Sequence, residues 1–156
     1  MSLETVLTRI DQDLPDATER LLELLRIPSI STDPKYKGDC QTAADWLVAD
    51  LQSIGIEAEK RRTPGHPMVV GHVEGDGPHI LFYGHYDVQP VDPLGLWDRD
   101  PFDPKIETVA DHKVIRGRGA SDDKGQLMTF VEDCRAWETV HGTLPCRLTF
   151  FFEGEE

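Results

Sequence analysis

Three short stretches of this 156-residue chain carry His, Asp and Glu at spacings that can do chemistry. The first is Gly84-His85-Tyr86-Asp87-Val88. Side chains alternate along extended backbone, so His85 and Asp87 point the same way there. A metal-ligating histidine usually donates its other ring N–H to a carboxylate or carbonyl, which fixes its tautomer and raises its basicity. His-x-Asp at a strand end supplies both parts. Taken alone, it is more often a histidine and an aspartate in a turn.

The second stretch runs from Gly117 to Gly125 and places Asp122-Asp123 just ahead of a helical pattern. An aspartate there also serves as an ordinary N-cap. Its Gly-x-Gly does not complete a dinucleotide fingerprint, and no phosphate-loop Lys-Ser/Thr follows, so a nucleotide site is disfavoured. The third stretch is Phe152-Glu153-Gly154-Glu155-Glu156. Carboxylates after a buried apolar strand suit a hard or borderline cation, although a solvated acidic turn reads the same way. Together the three offer His, Asp and Glu, the usual ligands of catalytic zinc.

The elements that must position them follow from periodicity. A helical region spans Thr5 to Arg26, with a break expected near Leu14-Pro15 and a restart capped by Asp16 and Glu19. A second helix is expected from about Gln41 to Ile54, closed by Gly55 with Ile56 behind it. Short strands follow at 57–62, 68–73 and 79–83, the last apolar on both faces and so read as a buried central strand. Residues 105–115 read as a hairpin. A third helix starts near Lys124 with Leu127, Phe130, Val131, Cys134 and Trp137 inward, and 147–152 reads as another buried strand. Helices alternating with apolar strands predict an α/β fold: a three-layer α/β/α sandwich with a mixed, mostly parallel sheet. In such sheets sites gather at the carboxyl ends of strands, where all three stretches fall.

Composition bounds the rest. With 38% hydrophobic and 29% charged residues the chain is not disordered by default. A net charge of −13 disfavours nucleic acid and anionic membranes, which need clustered Lys and Arg. Cys40, Cys134 and Cys146 are too few and too widely spaced for a disulfide framework or a Cys-x-x-Cys site. A cytoplasmic location is expected from that cysteine usage and from the absence of a secretory pattern at the start.

In order along the chain, Gly84 to Pro90, Trp97, Asp100-Pro101-Phe102, Gly117 to Gly125 and Glu153 to Glu156 resemble the co-catalytic zinc exopeptidases. That family includes carnosinase-type dipeptidases, glutamate carboxypeptidase, acetylornithine deacetylase, succinyl-diaminopimelate desuccinylase and the aminoacylases. The similarity runs from about Asp16 to Glu156, and the Asp-Pro-Phe loop and Asp-Asp-Lys-Gly wording look most like the dipeptidase branch.

The resemblance implies roles. His85 and Glu156 are metal ligands, Asp122 bridges two Zn2+ (Mn2+ or Co2+ in their place), Asp87 orients His85, and Glu155 is the general base. The peptide bond after Asp122 is expected to be cis. The implied reaction is hydrolysis of dipeptides, with deacylation of N-acyl amino acids by the same machinery, or an inactive fragment, as alternatives. The implied partner is a small substrate, with homodimerisation through a lid domain. By the same resemblance, residues 1–156 form the amino-terminal part of a catalytic domain. The lid and the remaining ligands lie beyond it, and these residues alone are expected to be inactive.

Overall fold

A computed structural model of the chain describes residues 2–156. Its first helix, α1 (Leu3–Leu25), runs straight through Pro15. The expected break does not occur. Proline removes one helical N–H and costs about 3 kcal/mol in a helix interior. Packing along the third helix outweighs that cost. Leu22, Leu24 and Leu25 are buried, and Arg20 makes two 2.7 Å bonds to Glu132. Asp16 therefore caps nothing, and Glu19 instead accepts from Arg26 at 2.8 Å.

Helix α2 (Lys37–Ser53) starts four residues earlier than the expected Gln41, after a 3-10 turn at Pro34–Tyr36 whose Asp33 side chain accepts from the Lys35 N–H. It ends in a Schellman cap. Gly55 takes φ +78°, its N–H reaches Gln52 O at 3.0 Å, and the Ile56 N–H reaches Leu51 O at 3.1 Å.

Strands β1 (Glu57–Arg61), β2 (Met68–Val73), β3 (His79–His85) and β6 (Arg147–Glu153) form one sheet in the order β1-β2-β6-β3. Strands β4 (Lys105–Val109) and β5 (His112–Arg116) make the expected hairpin, turning through Ala110 and Asp111 at positive φ. Helix α3 (Lys124–His141) ends at Gly142, which is left-handed at φ 68°.

The α/β class and the mixed sheet are as expected, but the strand directions are not mostly parallel. Pairs β1–β2 and β2–β6 are antiparallel, and β3–β6 is parallel. The reason is connectivity. A short turn joins β1 to β2 and forces an antiparallel pair, whereas α3 lies in the crossover between β3 and β6 and permits a parallel one.

On β6 the residues alternate. Leu148, Phe150 and Phe152 are buried in the core with Leu47, Leu51, Leu127 and Val131 from the helices. Each such side chain contributes about 1.5–3 kcal/mol by leaving water. Phe82 joins from β3, stacked on Phe130 of α3 at 3.9 Å between ring centroids. Of the three expected layers, the described residues supply the sheet and one helical layer. The opposite face carries Leu81 and Tyr83, 65% and 48% exposed. Strand β3 is thus an edge strand here, with β6 as its only partner among the described residues, while β6 is central. An apolar run in sequence reports what a strand is suited to, and the neighbours decide whether it is buried.

Candidate metal centre

The carboxyl ends of the parallel pair β3 and β6 meet at His85 and Glu153, which are register partners. Beyond them the chain is clamped. Tyr86 is fully buried, its N–H donates to Glu153 O at 2.9 Å, and its hydroxyl donates to Pro67 O at 2.5 Å. A side chain at residue 154 would overlap the Tyr86 ring, so only glycine lets the end of β6 pass this close. Ser29 accepts the Val88 N–H at 2.9 Å and donates its hydroxyl to Tyr86 O at 2.7 Å. His85 and Asp87 are therefore held by backbone on both sides.

His85 Nδ1 lies 3.2 Å from both the carbonyl and the carboxylate Oδ1 of Asp87. Both partners only accept, so Nδ1 carries the proton. Asp87 is 1% exposed. Its other oxygen accepts from the Ser31 hydroxyl at 2.6 Å, and its Oδ1 also accepts from the Glu156 backbone N–H at 3.3 Å. On the far side of the ring, His85 Nε2 faces Asp122 Oδ1 at 3.1 Å.

The Asp122 carboxylate projects into solvent with 82% of its side chain exposed, from a loop folded tightly onto the start of α3. Gly119 is at φ +82° there, and the Gly125 N–H returns to Gly119 O at 3.2 Å. The Asp122–Asp123 peptide bond is cis, as expected. Asp123 turns inward and accepts the His85 N–H at 3.1 Å. Lys124 is fully buried and donates to Leu24 O at 3.1 Å and Ile27 O at 2.7 Å, tying the loop to the end of α1. Burial pushes its amine down to about 7, against the pull of Cys40, Asp87 and Asp39.

This donor set fits a cation. With Nδ1 protonated, the neutral ring presents a lone pair on Nε2 toward a carboxylate, and two acceptors at that distance need a cation or a proton between them. The same two carboxylates also favour the protonated His85 ring. Burial works against the charged ring, yet the Asp122 bond and the Asp87 charge and bond outweigh it and raise the pKa.

Of the five residues singled out in sequence, the structure brings His85, Asp87 and Asp122 into direct contact. Glu156 touches this group through its backbone N–H. Glu155 sits to one side, its Oε2 accepting the His66 N–H at 3.3 Å across a cleft of about 320 Å3 between the Thr63–Met68 segment and Glu153–Glu155. Among the described residues no group of three His, Cys, Asp or Glu side chains is gathered closely enough to hold a metal. Sequence reasoning singled out neither Ser31 nor His66. His66 is buried, and its contact with Glu155 is made by backbone, for which side-chain type carries no signal. The three cysteines are free and buried, in line with a packing role for Cys134.

Residues 81–156 match the family model "Peptidase family M20/M25/M40". The family resemblance is therefore to the M20 peptidases, in their dipeptidase branch. The Cys-Gly metallodipeptidase dug1 of Schizosaccharomyces pombe is 32% identical over 168 residues, covering 100% of this chain and 35% of the relative. The Saccharomyces cerevisiae Cys-Gly metallodipeptidase DUG1 is 28% identical over 99% of this chain and 35% of its own length. Among solved structures, the di-peptidase Dug1p from Saccharomyces cerevisiae superposes with a TM-score of 0.85 at 28% identity, over 98% of this chain and 34% of that one. Human carnosine dipeptidase 1 gives 0.84 at 26%, again over 98% and 34%. An M20 family metallo-carboxypeptidase from Sulfolobus solfataricus gives 0.79 at 35%, over 90% and 31%. The chain spans about a third of the length of the curated relatives it matches. No helix of the described residues is long and apolar enough to cross a membrane.

Proposed function

We propose that this chain contributes the amino-terminal half-site of a metallopeptidase that hydrolyses dipeptides. The observation that carries the reading is the convergence of His85 Nε2 and Asp122 Oδ1 at 3.1 Å, with the buried Asp87 holding the opposite ring nitrogen. The metallodipeptidase relatives support it from the side of sequence.

In this reading His85, Asp122 and Glu156 would hold the metal, two Zn2+ in the complete site. When bound, the metal supplies a water of lowered pKa and a positive charge for the oxygen of the scissile carbonyl. The protein's own residues do the remainder. Asp87 keeps the His85 proton on Nδ1, so that Nε2 is always the ligating atom. Glu155 takes a proton from the attacking water and passes it to the leaving amine as the C–N bond breaks. Glu155 and Glu156 follow the end of β6, and in this reading Glu156 faces the metal while Glu155 faces the water. The remaining ligands, a lid and a dimer contact would come from beyond these residues, and a cytoplasmic location remains part of the proposal.

Deacylation of N-acyl amino acids uses the same groups and is the second reading. Zinc content by atomic absorption, followed by a panel of dipeptides and N-acyl amino acids on the zinc-loaded whole protein, with the remaining ligands and the lid in place, tests both. Turnover of free dipeptides supports the first reading. Turnover confined to N-acyl amino acids supports the second, and no turnover of either contradicts both.

A further inference from the structure

The turn from Thr63 to His66 has no part in the chemistry so far, yet it reaches Glu155. His66 is 9% exposed and uses three of its groups within the site. Its N–H donates to Glu155 Oε2 at 3.3 Å, its Nε2 meets Ser31 O at 2.8 Å, and its carbonyl accepts from the Thr63 hydroxyl at 2.6 Å. A carbonyl only accepts, so Nε2 carries the ring proton. The ring keeps that bond although its Nδ1 is buried without a partner among the described residues. Ser31 in turn donates its hydroxyl to Asp87, and Asp87 accepts the Glu156 N–H. The contacts close a circuit from Glu155 through His66, Ser31 and Asp87 to Glu156, the neighbour of Glu155 in the chain.

Gly65 supplies an independent observation. It is not in the left-handed region, so backbone conformation does not require glycine there. A Cβ at this position would overlap Glu155 Oε2. Glycine is needed for the close approach of the turn to that carboxylate.

We propose that the Thr63–His66 turn is a positioning element for Glu155. Gly65 and His66 fix where its carboxylate stands, and Ser31 ties the same turn to the carboxylate behind His85. The inference rests on the reading of Glu155 as the base.

The test is Gly65→Ala in the zinc-loaded whole protein, with the remaining ligands and the lid in place, acting on a dipeptide. The added methyl meets only the far end of a flexible side chain, so the fold and the metal are expected to be untouched. The expected result is a kcat lower by roughly 100-fold, the loss that a misplacement of about 1 Å can cause, with KM, zinc content and melting temperature unchanged. His66→Leu should give the same split, and His66→Gln, whose amide N–H can reach Ser31 O, should restore most of the rate. Ser31→Ala works the other arm of the circuit and should lower zinc affinity. A wild-type kcat in Gly65→Ala would overturn the proposal, as would a parallel loss of kcat, zinc and stability.

The contact is also read without turnover. In metal-free protein, Glu155→Gln should shift the His66 amide proton in the NMR spectrum, and an unmoved signal would overturn the positioning role. A wild-type protein that hydrolyses no dipeptide contradicts the functional reading instead, and the amide shift still decides this one.

Discussion

Asp87 Oδ1 stands 3.2 Å from His85 Nδ1 while the carboxylate itself is 1% exposed. A buried carboxylate is costly unless every oxygen is bonded. Here the Ser31 hydroxyl and the Glu156 N–H complete the set. The pair is therefore rigid, and the direction of the free ring nitrogen is fixed before anything binds.

Asp87→Asn tests that arrangement. The shape is kept and the charge is lost, so the ring is less basic and less firmly held. Zinc affinity, measured by competition with a chelating dye, should fall by about 10–100-fold. An unchanged affinity would remove Asp87 from the account.

Lys124 makes a pH prediction. Its ordinary value of 10.5 falls to about 7 in the fold, chiefly through burial. Between these values the unfolded chain binds a proton that the native state does not, so this group lowers stability as pH falls from about 10.5 to about 7. Below about 7 both states are charged and the penalty is constant. Thermal melts across that range should show stability rising with pH, and Lys124→Met should flatten the rise. An equally steep rise in the variant would contradict the assignment.

Arg135 and Asp50 form a mostly buried ion pair at 2.5 Å, with side chains 14% and 8% exposed. Burial raises the Asp50 pKa, and Arg135 is the main influence opposing it. Arg135→Met leaves the carboxylate unpaired and should cost about 3 kcal/mol at neutral pH, read from urea unfolding. The loss should shrink in acid. With its folded value raised, Asp50 protonates more readily in the native state, and the neutral acid needs no cation. A loss independent of pH would contradict this.

Much of the framework was legible in the chain. Helix α2 and its Gly55 stop, strand β2, the hairpin and α3 follow local periodicity and turn chemistry. The continuity of α1 through Pro15 was not legible, because the packing that maintains it comes from a helix more than a hundred residues away. Strand direction likewise depends on partners that periodicity does not name. In the site, His85 and Asp87 could be paired by alternation alone. Ser31 lies 56 positions from Asp87 and His66 lies 89 from Glu155, so no local pattern joins them.

The central claim is that Glu155 moves the proton while His85, Asp122 and Glu156 hold metal. The most direct measurement is zinc content and dipeptide turnover of Glu155→Gln beside the wild type, both as the whole protein with the remaining ligands and the lid in place. The account predicts full zinc content and a kcat lower by about 100- to 10,000-fold, the range for removing a general base. Turnover near the wild-type rate would contradict it, and so would loss of zinc together with activity.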